Sequence, residues 1–345
     1  MAGGVGSRFW PLSRENKPKQ FLDILGSGET LIQQTFNRFK NLCLPENILV
    51  VTSDEHKNIV REQLGIAPER ILTEPFRKNT APCIAYGSYK IFKENKNAFI
   101  TVSPADHIIS ETSVFEKVIN TGFEFASSDN SIVTIGIKPD KPETGFGYIQ
   151  SEKMSYKGDI FKVKSFREKP DLPTAEFFLR SGDFFWNSGI FIWSAKTILK
   201  AFDDYLPDIS APFRENIKVL GSDTEESFIK STYSTFRNIS IDYGIIEKAD
   251  NVFVISADMG WSDLGTWSSL YSHSKSDSTS NAIVRGNAHT FDCSNNLISI
   301  TPGKSVILQG LTDYIVVETD DALLVIKKQD EQNIKNYLEA LNKEK

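Results

Sequence analysis

The feature that most constrains the fold of this chain is the alternation of short apolar runs with longer amphipathic stretches over its first 140 residues. Residues 48–51, 71–72, 98–102 and 132–137 read as strands. Between them, 54–64 (closed by Gly65), 80–93 and 114–125 read as helices. An earlier helix is announced by Thr30-x-x-Gln33, a capping-box pattern that turns Leu31, Ile32, Phe36 and Phe39 inward. Strands alternating with helices of this length predict right-handed βαβ units and a mostly parallel sheet covered on both faces, an α/β fold. Ligands of such sheets sit beyond the carboxyl ends of the strands.

The pattern then changes twice. Residues 147–166 read as longer β segments and 174–180 as a helix. The aromatic-rich run 184–193 is predicted to be buried, and further helices are expected at 195–204 and within 212–233. Ser, Asp, Thr and Asn dominate 272–281, which reads as a linker. Short β-type runs broken by Gly and Asn fill 281–327, a small all-β unit with room for a few coils of a short β-helix. A last helix carries Ile334, Tyr337, Leu338 and Leu341 at i, i+3, i+4 and i+7. The expected division is a main domain over 1–270, a linker over 271–280 and a small unit over 281–345. A length of 345 residues has room for both.

Composition narrows the function classes. No apolar run approaches the ~18 residues of a membrane span, and no signal peptide is visible, so no membrane partner is expected. Cys43, Cys83 and Cys293 lie far apart with no C-x-x-C pair, which suits reduced thiols in a cytoplasm better than a disulfide framework or a zinc site. A net charge of -6 argues against non-specific nucleic-acid binding.

Against that acidic background the first twenty residues are basic: Arg8, Arg14, Lys17 and Lys19 stand against Glu15 alone. Gly3, Gly4 and Gly6 leave a backbone free to take φ > 0 and to approach a ligand closely, and successive N–H groups in such a turn form a concave anion site. Arg8 adds a forked donor suited to phosphate oxygens, and Lys19 a compact point charge. The competing reading is a flexible glycine-rich tail. The glycine order is not G-x-G-x-x-G, because Phe9 takes the third glycine's place, and no G-x-x-x-x-G-K-[ST] occurs. That order disfavours an NAD-dependent oxidoreductase.

Other candidates each carry a plain structural reading as well. Asp106, in Ser103-Pro104-Ala105-Asp106-His107, is a carboxylate just past an apolar strand, or an Asp capping the following turn. Asp263 lies between Trp261 and Trp267, beside Gly265. The run from Glu74 through Asn79 and Thr80 to Pro82 is a strand, a turn and a helix start with Thr80 as N-cap. Thr144-Gly145-Phe146-Gly147 reads as a hairpin or βα turn. Glu168-Lys169 reads by itself as a solvated charge pair. Asn187 is an amide in an apolar run that must find partners, in substrate hydroxyls or a local turn.

Gly3-Gly4-x-Gly6-x-Arg8, with Trp10-Pro11-Leu12-Ser13 and Pro18-Lys19-Gln20-Phe21, resembles the signature of the sugar-1-phosphate nucleotidyltransferases. More narrowly it resembles their branch that transfers guanylyl groups to mannose 1-phosphate, in the short monofunctional form without an appended phosphomannose isomerase domain. The resemblance implies a Rossmann-like, GT-A-like fold with a left-handed β-helix-like C-terminal unit, and a homodimer. It implies Mg²⁺ on Asp106 and Asp263, and nucleotide contacts from Gly3, Gly4, Gly6, Ser7, Glu74, Asn79 and Thr80. Gly147, Glu168, Lys169 and Asn187 would face the sugar phosphate, and Ile241-Asp242-Tyr243-Gly244 matches without an assigned role. GTP and mannose 1-phosphate would give GDP-mannose and pyrophosphate, with Arg8 on the leaving pyrophosphate and Lys19 at the α-phosphate. The attacking phosphate monoester, with a second pKa of about 6, is already an anion and needs no general base.

Two departures stand out: Lys78 replaces an Arg common before that Asn, and only Met1 and Ala2 precede the loop where the family has an apolar strand. Most of that first, central strand is therefore expected to be missing. Rival readings are a nucleotidyltransferase of another base or sugar, and a non-catalytic nucleotide-sugar-binding regulator. The latter would have lost an acid or the loop arginine, and Arg8, Lys19, Asp106 and Asp263 are all present.

Overall fold

Strand and helix alternate as expected in the computed structural model, which describes residues 1–4 and 6–343. The first helix, α1 (Leu31–Lys40), is opened by Thr30, whose N–H donates to Gln33 Oε1 at 2.9 Å. Leu31 and Ile32 are buried as predicted, while Phe36 and Phe39 are half-buried. Strand β1 (Val50–Ser53), helix α2 (Lys57–Leu64) and strand β2 (Ile71–Glu74) form a parallel βαβ unit, with Gly65 ending α2 at φ 61°. Helix α3 (Thr80–Glu94) then leads to β3 (Phe99–Val102), the short β4 (Ile108–Ile109), α4 (Thr112–Asp129) and β5 (Ile132–Ile137).

The cap of α3 is a correction. Asn79, not Thr80, is the N-cap: it takes φ 71°, and its side chain accepts from Thr80 N at 2.9 Å. With ψ -168° this is a positive-φ extended backbone that strains any side chain, and a β-branched one most.

Next come β6 (Gly147–Ser151), β7 (Ile160–Glu168), α5 (Leu172–Ser181), β8 (Phe184–Ser194), α6 (Ala195–Tyr205), α7 (Pro207–Glu215), α8 (Glu225–Thr235), β9 (Val252–Ser256), β10 (Trp261–Ser262) and α9 (Trp267–Ser272). The main sheet has the order β3-β8-β5-β9-β7-β6. β5 and β9 pair in parallel, and β3 shares their direction because β8 runs antiparallel to both β3 and β5. The βαβ expectation therefore describes β1, β2, β3 and β5, which β9 joins in parallel, and departs at the inserted β8 and the β6–β7 ribbon. Phe191, Ile192 and Trp193 of β8 are fully buried, as a strand covered on both faces requires. One apolar cluster joins the sheet to α3, α6, α7 and α8, and another joins it to α4.

Met1 and Ala2 stitch β1 to the end of β3. Met1 N donates to Ser103 O at 2.9 Å, Ala105 N donates to Met1 O at 2.9 Å, and Ala2 N donates to Val51 O at 2.8 Å. The Met1 bonds are those of a parallel ladder. Behind Met1 the edges of β1 and β3 enclose a cavity of about 400 Å³, walled by side chains such as Phe36, Val51, Ile84 and Ile100. Ser88 Oγ and Thr101 Oγ1, on residues that line it, are buried without a hydrogen-bond partner.

The C-terminal strands are β11 (Ala282–Arg285), β12 (Ala288–Phe291), β13 (Leu297–Ser299), β14 (Val306–Gln309), β15 (Tyr314–Glu318) and β16 (Leu323–Lys327). They form two small sheets: β11, β13 and β15 pair in parallel with β16 antiparallel at the edge, and β12 pairs in parallel with β14. Before them, the Asp277 carboxylate accepts from the N–H groups of Thr279 and Asn281, so the polar stretch is an ordered turn. Helix α10 (Ile334–Lys343) uses only part of its predicted stripe. Ile334 is buried with Leu338 packed beside it, whereas Tyr337 and Leu341 are 49% and 48% exposed.

Candidate active site

The glycine turn is a shaped loop. Gln20 Nε2 donates to the carbonyls of Ala2 and Gly4, both at 3.0 Å, and Thr52 Oγ1 donates to Ala2 O at 3.1 Å. Gly6 has φ +58°, and a Cβ there would lie 2.9 Å from Lys19 Cβ, so backbone sign and space both require glycine. A Cβ on Gly4 would stand 3.7 Å from Asp106 Oδ2, and one on Gly3 4.0 Å from Glu74 Oε2. The loop is thus laid over Lys19, Asp106 and Glu74. Val5 lies outside the described residues, and of Ser7 only the backbone is described. Arg8 is exposed on the turn Ser7–Phe9, while Phe9 is buried against Trp267 with ring centroids 4.8 Å apart.

Asp106 and Asp263 converge because β4 and β10 pair antiparallel, with Ile108 opposite Ser262 and Ile109 opposite Trp261. Trp261 Nε1 donates to His107 Nδ1 at 3.2 Å across the same pair. The ammonium of Lys19 bridges the Asp106 carboxylate and the main chain at Asp263. It lies 3.2 Å from Asp106 Oδ2 and donates to the backbone carbonyls of Asp263 at 2.6 Å and Leu264 at 3.0 Å. Its charge is thus shared between one carboxylate, that of Asp106, and two main-chain carbonyls. Burial alone would raise the Asp106 carboxyl, but Lys19, His107 and the amino terminus outweigh it and hold it below its ordinary value. Burial lowers His107 in turn, against the pull of Asp106. Gly265 N donates to Asp263 Oδ1 at 3.0 Å, and a Cβ at Gly265 would come within 2.7 Å of Asp263 Oδ2.

Among the described residues no three His, Cys, Asp or Glu side chains gather as a ready metal cage. A magnesium site needs less, since Mg²⁺ takes one or two carboxylates and completes its octahedron with water and phosphate oxygens. The oxygens around the Lys19 ammonium already hold one cation, and they are the hard donors that Mg²⁺ prefers.

From Asp263 a cleft of about 210 Å³ extends past Gly147, Glu168, Asn187 and Asp242 to Thr80. A Cβ on Gly147 would meet Glu168 Oε2 at 2.6 Å and the Phe166 ring at 2.9 Å. Asn187 Oδ1 accepts from Thr134 Oγ1 and Gly189 N, both at 3.2 Å, so its Nδ2 is left to donate to Asp242 Oδ1 at 2.9 Å. Lys169, at φ 45°, folds its exposed ammonium onto Glu168. Ile241 N donates to Thr80 Oγ1 at 2.8 Å, joining the α3 start to the turn that carries Asp242. Glu74, at the end of β2, has its carboxyl pushed up to about 7, chiefly by burial.

The predicted residues thus form two linked groups. Gly3, Gly4, Gly6, Lys19, Glu74, Asp106 and Asp263 surround the loop, and Thr80, Gly147, Glu168 and Asn187 line the cleft. Arg8 and Lys169 stand at the surface, and the Asn79 side-chain oxygen is occupied by its cap. Three features escaped assignment from sequence: Gln20 as the brace of the loop, the His107–Trp261 contact, and Asp242. Gln20, His107, Trp261 and Asp242 all belong to the sequence motifs, so their signal was present without a geometry to interpret it.

A nucleotidyl transferase sequence profile matches residues 1–280. The chain belongs to the nucleotidyl transferase family. Within it, the chain is 37% identical over 353 residues to a mannose-1-phosphate guanylyltransferase of Escherichia coli, covering 99% of this chain and 75% of that one. It is 35% identical over 349 residues to the alginate biosynthesis protein AlgA of Pseudomonas aeruginosa, covering 99% and 71%. Among solved structures, one described as mannose-1-phosphate geranyltransferase from Thermus thermophilus superposes with a TM-score of 0.88 at 28% identity, covering 99% of this chain and 98% of that one. The glycine loop and both aspartates fall inside the part matched to the nucleotidyl transferase family. No helix among the described residues is long and apolar enough to cross a membrane.

Proposed function

We propose that this chain transfers GMP from GTP to α-D-mannose 1-phosphate, giving GDP-mannose and pyrophosphate, with Mg²⁺ as its metal. The observation that carries the reading is one cation, the Lys19 ammonium, held by the Asp106 carboxylate and the main-chain oxygen of Asp263 beneath a glycine loop. The relatives matched along nearly the whole chain support the choice of substrates.

The chemistry needs little covalent help from the protein. An oxygen of the sugar phosphate attacks the α-phosphorus of GTP, the bond to the β-phosphate oxygen breaks, and pyrophosphate leaves. The nucleophile is already an anion near neutral pH, so positioning and charge neutralisation are the protein's tasks. Asp106 and Asp263 would hold the magnesium, which when bound supplies charge neutralisation to the phosphates. Gly3, Gly4, Gly6 and Ser7 would offer backbone N–H groups to the triphosphate, and Arg8, exposed at the loop's tip, would take the leaving pyrophosphate. Lys19 would leave Asp106 as the metal arrives and turn to the α-phosphate. Glu74, Asn79 and Thr80 would border the nucleoside, and Gly147, Glu168, Lys169 and Asn187 the sugar phosphate.

The same reading puts the enzyme in the cytoplasm and makes 1–270 its catalytic domain. Residues 271–280 are then a linker and 281–345 a second unit of β-helix-like coils with a terminal helix. Exposed Phe291, Ile307 and Leu323 on that unit suit pairing of two copies. Pyrophosphate release, measured for each of four NTPs against mannose, glucose and N-acetylglucosamine 1-phosphates with Mg²⁺, tests the proposal. GTP with mannose 1-phosphate should give the highest kcat/KM. Faster turnover of another pair would assign a different transferase, and no release from any pair would remove the enzyme reading.

A further inference from the structure

Asp242 opens a five-residue π-helical turn, Asp242–Ile246, of the kind found often at functional sites. The turn is held rigidly. Ile241 N is bonded to Thr80, and Gly244 fits so closely that a Cβ would lie 2.7 Å from Leu206 Cδ1. Asn187, its amide oriented by Thr134 and Gly189, donates to Asp242 Oδ1 and leaves Oδ2 without a side-chain donor among the described residues. Across the same cleft stands Glu168, packed over Gly147 with its side chain only 14% exposed.

Two carboxylates facing one small cavity repel, and each ionised oxygen can only accept hydrogen bonds. The Asn187 amide oxygen is already engaged and cannot serve as an additional acceptor, while Lys169 neutralises Glu168 from the outside. What the cavity lacks is a neutral ligand bearing several hydroxyl donors, which a hexose ring supplies.

Resting on the function proposed above, we propose that Asp242 is a specificity residue: its Oδ2, with Glu168 opposite, accepts hydrogen bonds from ring hydroxyls of the sugar phosphate. Asn187 then acts partly through Asp242, by fixing the rotamer that turns Oδ2 into the cleft.

Pyrophosphate release by the full chain tests this, with KM determined separately for GTP and mannose 1-phosphate in wild type, Asp242→Asn and Asp242→Ala. A lost hydrogen bond to a charged acceptor predicts a rise of about tenfold or more in the mannose 1-phosphate KM of Asp242→Ala, with the GTP KM within about twofold. Asp242→Asn keeps shape and one acceptor, so its rise should be smaller. Deoxy analogues of mannose 1-phosphate supply a second readout: the analogue lacking the contacted hydroxyl should bind wild type and Asp242→Ala alike. Equal KM increases for both substrates in Asp242→Asn, or unchanged KM values with a lowered kcat, would overturn the assignment and make Asp242 structural. Should wild type release no pyrophosphate from any sugar phosphate, the function reading itself has failed, independently of Asp242.

Discussion

The Lys19 ammonium lies 3.2 Å from Asp106 Oδ2 and, on its other side, 2.6 Å from the main-chain oxygen of Asp263. One lysine from the first turn therefore ties together two acidic loops far apart in the sequence. Removing the Asp106 charge while keeping its shape leaves that lysine both carbonyl acceptors. Asp106→Asn should therefore fold with a loss within about 2 kcal/mol, yet lose about a hundredfold or more in kcat. Thermal melts and pyrophosphate release check the two halves of this prediction.

Gly6 couples backbone sign to the position of Lys19. In Gly6→Ala a side chain must occupy φ +58°, at a cost of about 1–2 kcal/mol, and its Cβ presses on Lys19 Cβ. Activity should fall much further than the melting temperature, because the displaced lysine is the one that joins the Asp106 carboxylate to the main chain at Asp263. The matched control is Gly28→Ala, which shares a positive φ but meets no atom within 4 Å, and whose turnover should stay near wild type.

The carboxyl of Glu74 is raised from 4.5 to about 7 in the folded chain. Between those values the native state binds the proton that the unfolded state has released, so stability falls as pH rises from about 4.5 to about 7. Asp242, raised from 3.8 to about 6 by burial and then by Glu168, adds to the same slope at its acid end. Glu74→Gln should flatten the upper part of the profile and be more stable than wild type above pH 7 by roughly 2–3 kcal/mol. Urea midpoints taken from pH 5 to pH 8 measure it; parallel profiles for the two proteins would contradict it.

Much of this was legible from residues alone where the signal was local. Periodicity placed α1, α3 and β5, and the Thr30/Gln33 pair marked a helix start that the hydrogen bond bears out. The antiparallel entry of β8 was not, because its continuous apolar run carries no direction and its partners lie about 35 to 95 residues away. Adjacent Asn79 and Thr80 are both good caps, and only a positive-φ backbone separated them. The site divided in the same way. Glycine spacing exposed the loop, but the hold of Lys19 on carbonyls 244 and 245 positions away belongs to the fold. The exposure of Tyr337 and Leu341 likewise depends on how little of α10 the neighbouring sheet covers.

Metal titration tests the central claim most directly. Mn²⁺, used as a probe for Mg²⁺, is added to the GTP-loaded full chain and followed by calorimetry or paramagnetic resonance, in wild type and in Asp106→Asn and Asp263→Asn. The account predicts one site per chain in wild type, weakened at least about tenfold by either substitution, with GTP still bound. Wild-type metal affinity in both variants would show that Asp106 and Asp263 do not share an ion, and would contradict the account.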